Sequence, residues 1–168
     1  MRSRPLDPCT IIRLQSWDAT ASPPSTINQV VGTTWPREVG SVATGLVDIL
    51  CIGPTDWLIT GINPNARDLC KNLDKALLET PLRATDISAG YARVEFEGLD
   101  VREFLLKGCS LDLHPSRFPP ARCARTRFAG VPTVLRCHGS SKFEGIVPAS
   151  YQEYVLTWIA DASNQDVR

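Results

Sequence analysis

The chain has no excess of charge of either sign. Its 18 Lys and Arg balance 18 Asp and Glu over 168 residues. That argues against a dedicated nucleic-acid binder, which gains affinity by neutralising phosphates. There is no Cys-x-x-Cys either, since the cysteines stand apart at positions 9, 51, 70, 109, 123 and 137. Such scatter reads as reduced thiols in a cytoplasm. The most apolar window, 41–62, contains Asp48, Pro54 and Asp56, which a spanning helix would bury in lipid, so no membrane partner is expected. No apolar segment of a secretory signal follows the opening Met1-Arg-Ser-Arg-Pro5. G-x-S-x-G, P-loop and G-x-G-x-x-G patterns are all missing, so acyl transfer, nucleotide hydrolysis and dinucleotide binding have no motif behind them.

What is present suits an ordinary globular protein, 43% apolar and 21% charged. Residues 1–44 are poor in pattern and read as an arm with edge elements, including an edge strand over 9–15. Residues 45–168 read as an α+β domain, with the two parts forming one compact domain. Two β-rich runs flank Gly53-Pro54-Thr55-Asp56, a hairpin pattern. Asn63-Pro64-Asn65 opens a helix over about 66–78, whose stripe is Leu69, Cys70, Leu73, Ala76 and Leu77. Strict alternation from Ala92 to Glu97 predicts a half-buried strand. A short helix over 100–107 follows, with Asp100 as N-cap and Gly108 as the left-handed residue past its end. Strands are expected over 123–128, 133–137 and 143–147, then a terminal helix opened by a Ser150-x-x-Glu153 capping box. The order predicts a mostly antiparallel sheet with about three helices.

The segment between the short helix and the first of those strands concentrates unusual chemistry: Cys109, His114, Cys123 and four arginines at 117, 122, 125 and 127. Cys109, His114, Cys123 and Cys137 or His138 could be gathered as metal ligands, but their spacings lack the paired knuckles that pre-place zinc ligands. Cys109 follows a helix C-terminus, where the dipole disfavours a thiolate. Asp86 beside Ser88 is a carboxylate in a suggestive setting, although Asp and Ser so placed commonly cap turns. No complete catalytic, cofactor or metal site emerges.

Several segments together resemble the gamma subunit of heterotetrameric sarcosine oxidase. They are Ile52-Gly-Pro-Thr-Asp-Trp-Leu58, the stretch from Asp86-Ile-Ser88 to Leu105, Lys107-Gly-Cys-Ser-Leu-Asp-Leu-His-Pro115, Phe118-Pro-Pro-Ala-Arg-Cys-Ala-Arg-Thr126 and Ser150-Tyr-x-x-Tyr154. The resemblance covers roughly 45–162. Asp86-Ile-Ser88-Ala-Gly-Tyr91 is further similar to the N-terminal region of folate-dependent aminomethyltransferases, although those carry His-Met-Gly where Ala89-Gly90-Tyr91 stands. The resemblance implies a complex that oxidatively demethylates sarcosine or a related N-methyl amine. It implies FAD, FMN, NAD and tetrahydrofolate bound mainly to other subunits, with none in this chain. It makes Asp86 and Ser88 a folate-enzyme-like motif. On this reading the segment is a proline-braced loop, with Gly108, Cys109, Leu111, Asp112, Leu113, His114, Pro115 and Phe118 facing a partner subunit. A stand-alone folate-binding or aminomethyltransferase-like protein is the competing reading.

The thiol reading is directly testable. Titration of the denatured, unreduced chain is expected to count close to six thiols, and a shortfall restored by reductant would mean disulfides and another compartment.

Overall fold

The computed structural model describes residues 1–61 and 65–164. They divide into two compact units, Pro8–Ser88 and Met1–Asp7 with Ala89–Arg168. The expected arm over 1–44 is therefore shared out. Its first strand belongs to one unit and the remainder to the other, because strand pairing, not sequence proximity, fixes membership.

The unit over Pro8–Ser88 is built on a five-stranded antiparallel sheet ordered β3-β4-β5-β2-β6. Its strands are β2 (Thr10–Ser16), β3 (Val42–Ala43), β4 (Asp48–Gly53), β5 (Asp56–Gly61) and β6 (Leu82–Asp86). β4 and β5 form the expected hairpin about Pro54-Thr55. Asp56 at its turn receives a two-pronged contact from Arg13 of β2, Nε at 2.9 Å and Nη2 at 2.6 Å. The 9–15 strand is not an edge: β2 pairs with β5 on one side and β6 on the other. Its Ile-Ile-x-Leu run is buried at Ile11, Ile12 and Leu14, which a central strand requires.

Helix α1 (Ile27–Val31) is short and lacks a side-chain cap at its start; Gly32, left-handed at φ 68°, closes it. Helix α2 (Ala66–Ala76) matches expectation. Asn65 accepts the Arg67 amide at 3.1 Å, and Leu69, Leu73 and Leu77 are buried in the unit's core. Asn63 and Pro64 of its expected opening lie outside the described residues.

The unit over Met1–Asp7 and Ala89–Arg168 carries the second antiparallel sheet, ordered β1-β7-β10-β9-β8. Its strands are β1 (Arg2–Pro5), β7 (Tyr91–Glu97), β8 (Arg122–Phe128), β9 (Val131–Gly139) and β10 (Lys142–Pro148). Helices α3 (Val101–Leu106) and α4 (Gln152–Asn164) contribute to its core through Val101, Phe104, Leu105, Val155 and Ile159. Across that core Phe128 meets Phe96 and Trp158 edge-on, with centroids 5.3 and 5.1 Å apart.

Three expectations about helix ends change. Asp100 makes no cap bond, because its carboxylate takes the Met1 amino group at 2.7 Å. Gly108 is not left-handed; it is needed because a Cβ there would come within 2.9 Å of both Phe128 and Trp158. The terminal helix is opened by a 3₁₀ turn over Ala149–Tyr151 with no side-chain cap at Pro148, instead of a capping box.

The polar face of this sheet carries buried charge. Arg4, Glu95, Glu144 and Arg136 are register partners across β1, β7, β10 and β9. Glu144, 2% exposed, receives Arg93 Nε at 2.5 Å and lies 2.7 Å from His138 Nε2. Glu95 is held by Arg4 Nε and Lys142 Nζ, each at 2.7 Å. Burial alone would raise the Glu144 pKa, but the hydrogen bonds from His138 and Arg93 outweigh it and hold the carboxyl at about 2. A depressed carboxyl stabilises the fold above its unfolded pKa of 4.5, and that contribution is lost as pH falls toward 2. Glu144→Gln is expected to cost about 3–5 kcal/mol at pH 7, as when one partner of a buried pair is removed. It should also flatten the pH dependence between these limits. Urea unfolding at pH 7 and pH 3 checks both, and an unchanged acid slope would remove Glu144 from the account.

Candidate functional site

The loop between α3 and β8, residues 107–121, is ordered by its own hydrogen bonds. The Asp112 carboxylate accepts the His114 amide at 3.0 Å, and the His114 carbonyl accepts Arg117 N at 2.9 Å and Phe118 N at 2.8 Å. His114 Nδ1 accepts the Ser116 amide at 3.3 Å and lies 2.8 Å from Ser116 Oγ. Cys109 Sγ accepts the Leu111 amide at 3.4 Å and lies 3.3 Å from Thr126 Oγ1. Pro115, Pro119 and Pro120 restrict the same segment before it folds, lowering the entropy lost on ordering it.

Arg102 of α3 fastens the loop down. Its Nη1 donates to the carbonyls of Leu113 and Phe118, the latter at 3.1 Å. Its Nε reaches Ser140 O at 3.4 Å and its Nη2 reaches Cys137 Sγ at 3.7 Å. The guanidinium lies 4.8 Å from the Phe143 ring centre, and Phe118 stacks on that ring at 6.3 Å and 9°. Sequence reading missed Arg102, since one arginine in a short helix carries no local signal of carbonyls brought from eleven and sixteen residues away.

The loop's apolar side chains point inward. Leu113 is 1% exposed, and Phe118 and Cys109 are 5% exposed, all within this unit's core. The expectation that they face a partner is corrected here, because spacing alone does not tell which way a loop's apolar residues turn. Asp112, His114 and Pro115 are exposed, while Leu111 and Gly108 are half-buried. Among the described residues, no three His, Cys, Asp or Glu are gathered as metal ligands. Burial pushes the Cys137 thiol up, with Arg102 opposing it.

Asp86 and Ser88 serve a turn at the end of β6. Asp86 Oδ1 accepts Ser88 N at 2.9 Å and Ser88 Oγ at 2.5 Å, and these bonds hold its pKa below the usual carboxylate range. Ser88 Oγ in turn accepts the Ile11 amide at 2.9 Å. Both side chains are thereby committed to each other and to Ile11 of β2. Two open recesses beside β1 are lined by Arg2, Ser3, Arg4, Glu95 and Glu97, and by Met1, Arg2 and 97–100.

The two antiparallel sheets, each with its helices, give an α+β architecture of the aminomethyltransferase kind. Over 90% of this chain and 43% of that one, the fold matches the glycine cleavage system aminomethyltransferase T from Bartonella henselae at TM-score 0.64 and 9% identity. A chain of the heterotetrameric sarcosine oxidase from Corynebacterium sp. U-96, solved in complex with pyrrole 2-carboxylate, matches at TM-score 0.84 and 28% identity. That match covers 97% of this chain and 83% of that one. The sarcosine oxidase subunit gamma of Corynebacterium sp. strain P-1 is 32% identical over 140 residues, 82% of this chain and 68% of its own length. Residues 17–165 match the model of the sarcosine oxidase gamma subunit family. The chain belongs to that family. The match starts at Trp17, earlier than the motifs after residue 45 indicate, so most of the pattern-poor N-terminal stretch is family sequence too.

Leu113→Asp is expected to destabilise the chain by several kcal/mol, because it buries an unpaired carboxylate. Arg102→Ala should cost about 1–3 kcal/mol by stranding part-buried carbonyls. Exposed His114→Ala should stay within about 0.5 kcal/mol. Urea melts of the three variants check the order. A Leu113→Asp protein as stable as wild type would return the loop to the surface.

Proposed function

We propose that this chain is the small, non-catalytic subunit of a sarcosine oxidase-type complex. There it supports assembly with the large folate- and flavin-binding subunits, and the oxidoreductase activity belongs to the assembly. The family match over 17–165 carries this reading. The oxidative demethylation of sarcosine or a related N-methyl amine then takes place in other chains. Those chains hold FAD, FMN, NAD and tetrahydrofolate. The local engagement of Asp86 and Ser88 supports that assignment, since neither side chain is left to meet a folate. The exposed part of the 108–118 loop, Asp112, His114 and Pro115, joins the contact with a partner, while Leu113 and Phe118 support it from below. The six free thiols support a cytoplasmic setting. Among the described residues, no helix is long and apolar enough to cross a membrane.

Coexpression with neighbouring reading frames tests the proposal. The chain is expected to purify with flavin-coloured larger subunits, and alone to be colourless and inactive on sarcosine. Stoichiometric flavin on the isolated chain after gel filtration would overturn the cofactor assignment. Tight binding of tetrahydrofolate to the isolated chain would favour the stand-alone folate-binding alternative.

A further inference from the structure

The β8–β9 turn holds Ala129 at φ 51° and Gly130 at φ 80°, both left-handed, between the paired residues Phe128 and Val131. Gly130 suits that geometry, but Ala129 does not, and a strained non-glycine persists only where its surroundings hold it. Here they do: Ala129 N donates to Gly108 O at 2.9 Å, and its carbonyl accepts the Tyr154 hydroxyl at 3.1 Å. Tyr154 is nonetheless 51% exposed, and Tyr151, one helical turn earlier, is 47% exposed. At the same tip Arg127 Nη1 donates to Gly130 O at 3.1 Å. Arg127 is exposed and makes no ion pair among the described residues.

We propose that this tip, with Tyr151, Tyr154 and Arg127, is a docking surface for a larger subunit of the same complex, at a site where that subunit offers a carboxylate beside apolar side chains. The proposal rests on the assembly role stated above. Charge decides the kind of partner. A cation fixed through one nitrogen keeps the rest of its fork for a carboxylate, and guanidinium geometry suits that group. Tyrosine and arginine dominate interface energetics when held rigid, and all the fixing contacts here come from this unit itself. A surface already ordered in the free chain loses little entropy on docking.

The test is co-purification of the full chain with its larger subunits across a salt series, using Arg127→Glu, Arg127→Gln and Tyr151→Asp. Melting of each variant is measured alongside. Assembly is expected to weaken roughly tenfold or more for Arg127→Glu and Tyr151→Asp. Arg127→Gln should lose less and flatten the salt dependence, with melting unchanged. Should Tyr151→Asp melt early, the two Arg127 variants decide the matter. Full-strength assembly of folded Arg127→Glu would overturn the proposal. So would a wild-type chain that self-associates through this surface, because a second copy would then be its occupant. A wild-type chain that fails to co-purify at all would overturn the assembly role itself, and this surface with it.

Discussion

The guanidinium of Arg102, on α3, meets the loop after that helix, the β9–β10 turn and Cys137 of β9, each with a different nitrogen. Two loop carbonyls, Leu113 O and Phe118 O, converge on one nitrogen. Without that donor two part-buried carbonyls would go unmet, each costing about 1–3 kcal/mol. A lysine would not replace it. Only a planar group can lie against a ring and still donate in its plane to several acceptors. Arg102 thus holds down a loop whose own hydrogen bonds already shape it.

Wherever a segment's periodicity is its own, the sequence was readable. The Ala92–Glu97 alternation, the Leu69–Leu73–Leu77 stripe and the Gly53–Asp56 turn each appear as strand, helix and hairpin. What stayed hidden depends on partners distant in the chain. β1 is a strand only because Arg2–Pro5 pairs with Val94–Glu97, more than 85 residues away by the numbering of those pairs. β2 read as an edge because β6, its second neighbour, offers the unremarked sequence Leu-Arg-Ala-Thr-Asp. Leu113 and Phe118, expected to face a partner, turn into this unit's core. Hydrophobicity says that a side chain leaves water and not which surface receives it.

Charge follows the same logic. A net charge of zero says nothing of where the charges lie. On the second sheet two adjacent carboxylates, Glu95 and Glu144, are flanked across the strands by Arg4 and Arg136, and both carboxylates are nearly excluded from water. Such a network seldom adds much over well-packed apolar residues, but it is severe about register. A one-residue slip of β10 would set Glu144 on the apolar face, opposite Phe96 and Cys137, and take it away from Arg93. The charges therefore select one pairing among several that the apolar pattern alone would tolerate.

The Asp86–Ser88 turn ties both side chains into the fold. In its setting the carboxylate has two local donors, and the hydroxyl that supplies one of them also accepts from β2. Each bond stabilises the junction between β6 and the following 3₁₀ turn, so each would have to be broken before either side chain could meet a ligand. A carboxylate held below its usual pKa by such bonds is also a poor base. The architecture shared with an aminomethyltransferase thus imposes the path of the chain but not its chemistry. What distinguishes this protein must lie in which surfaces it leaves rigid, charged and open to another chain.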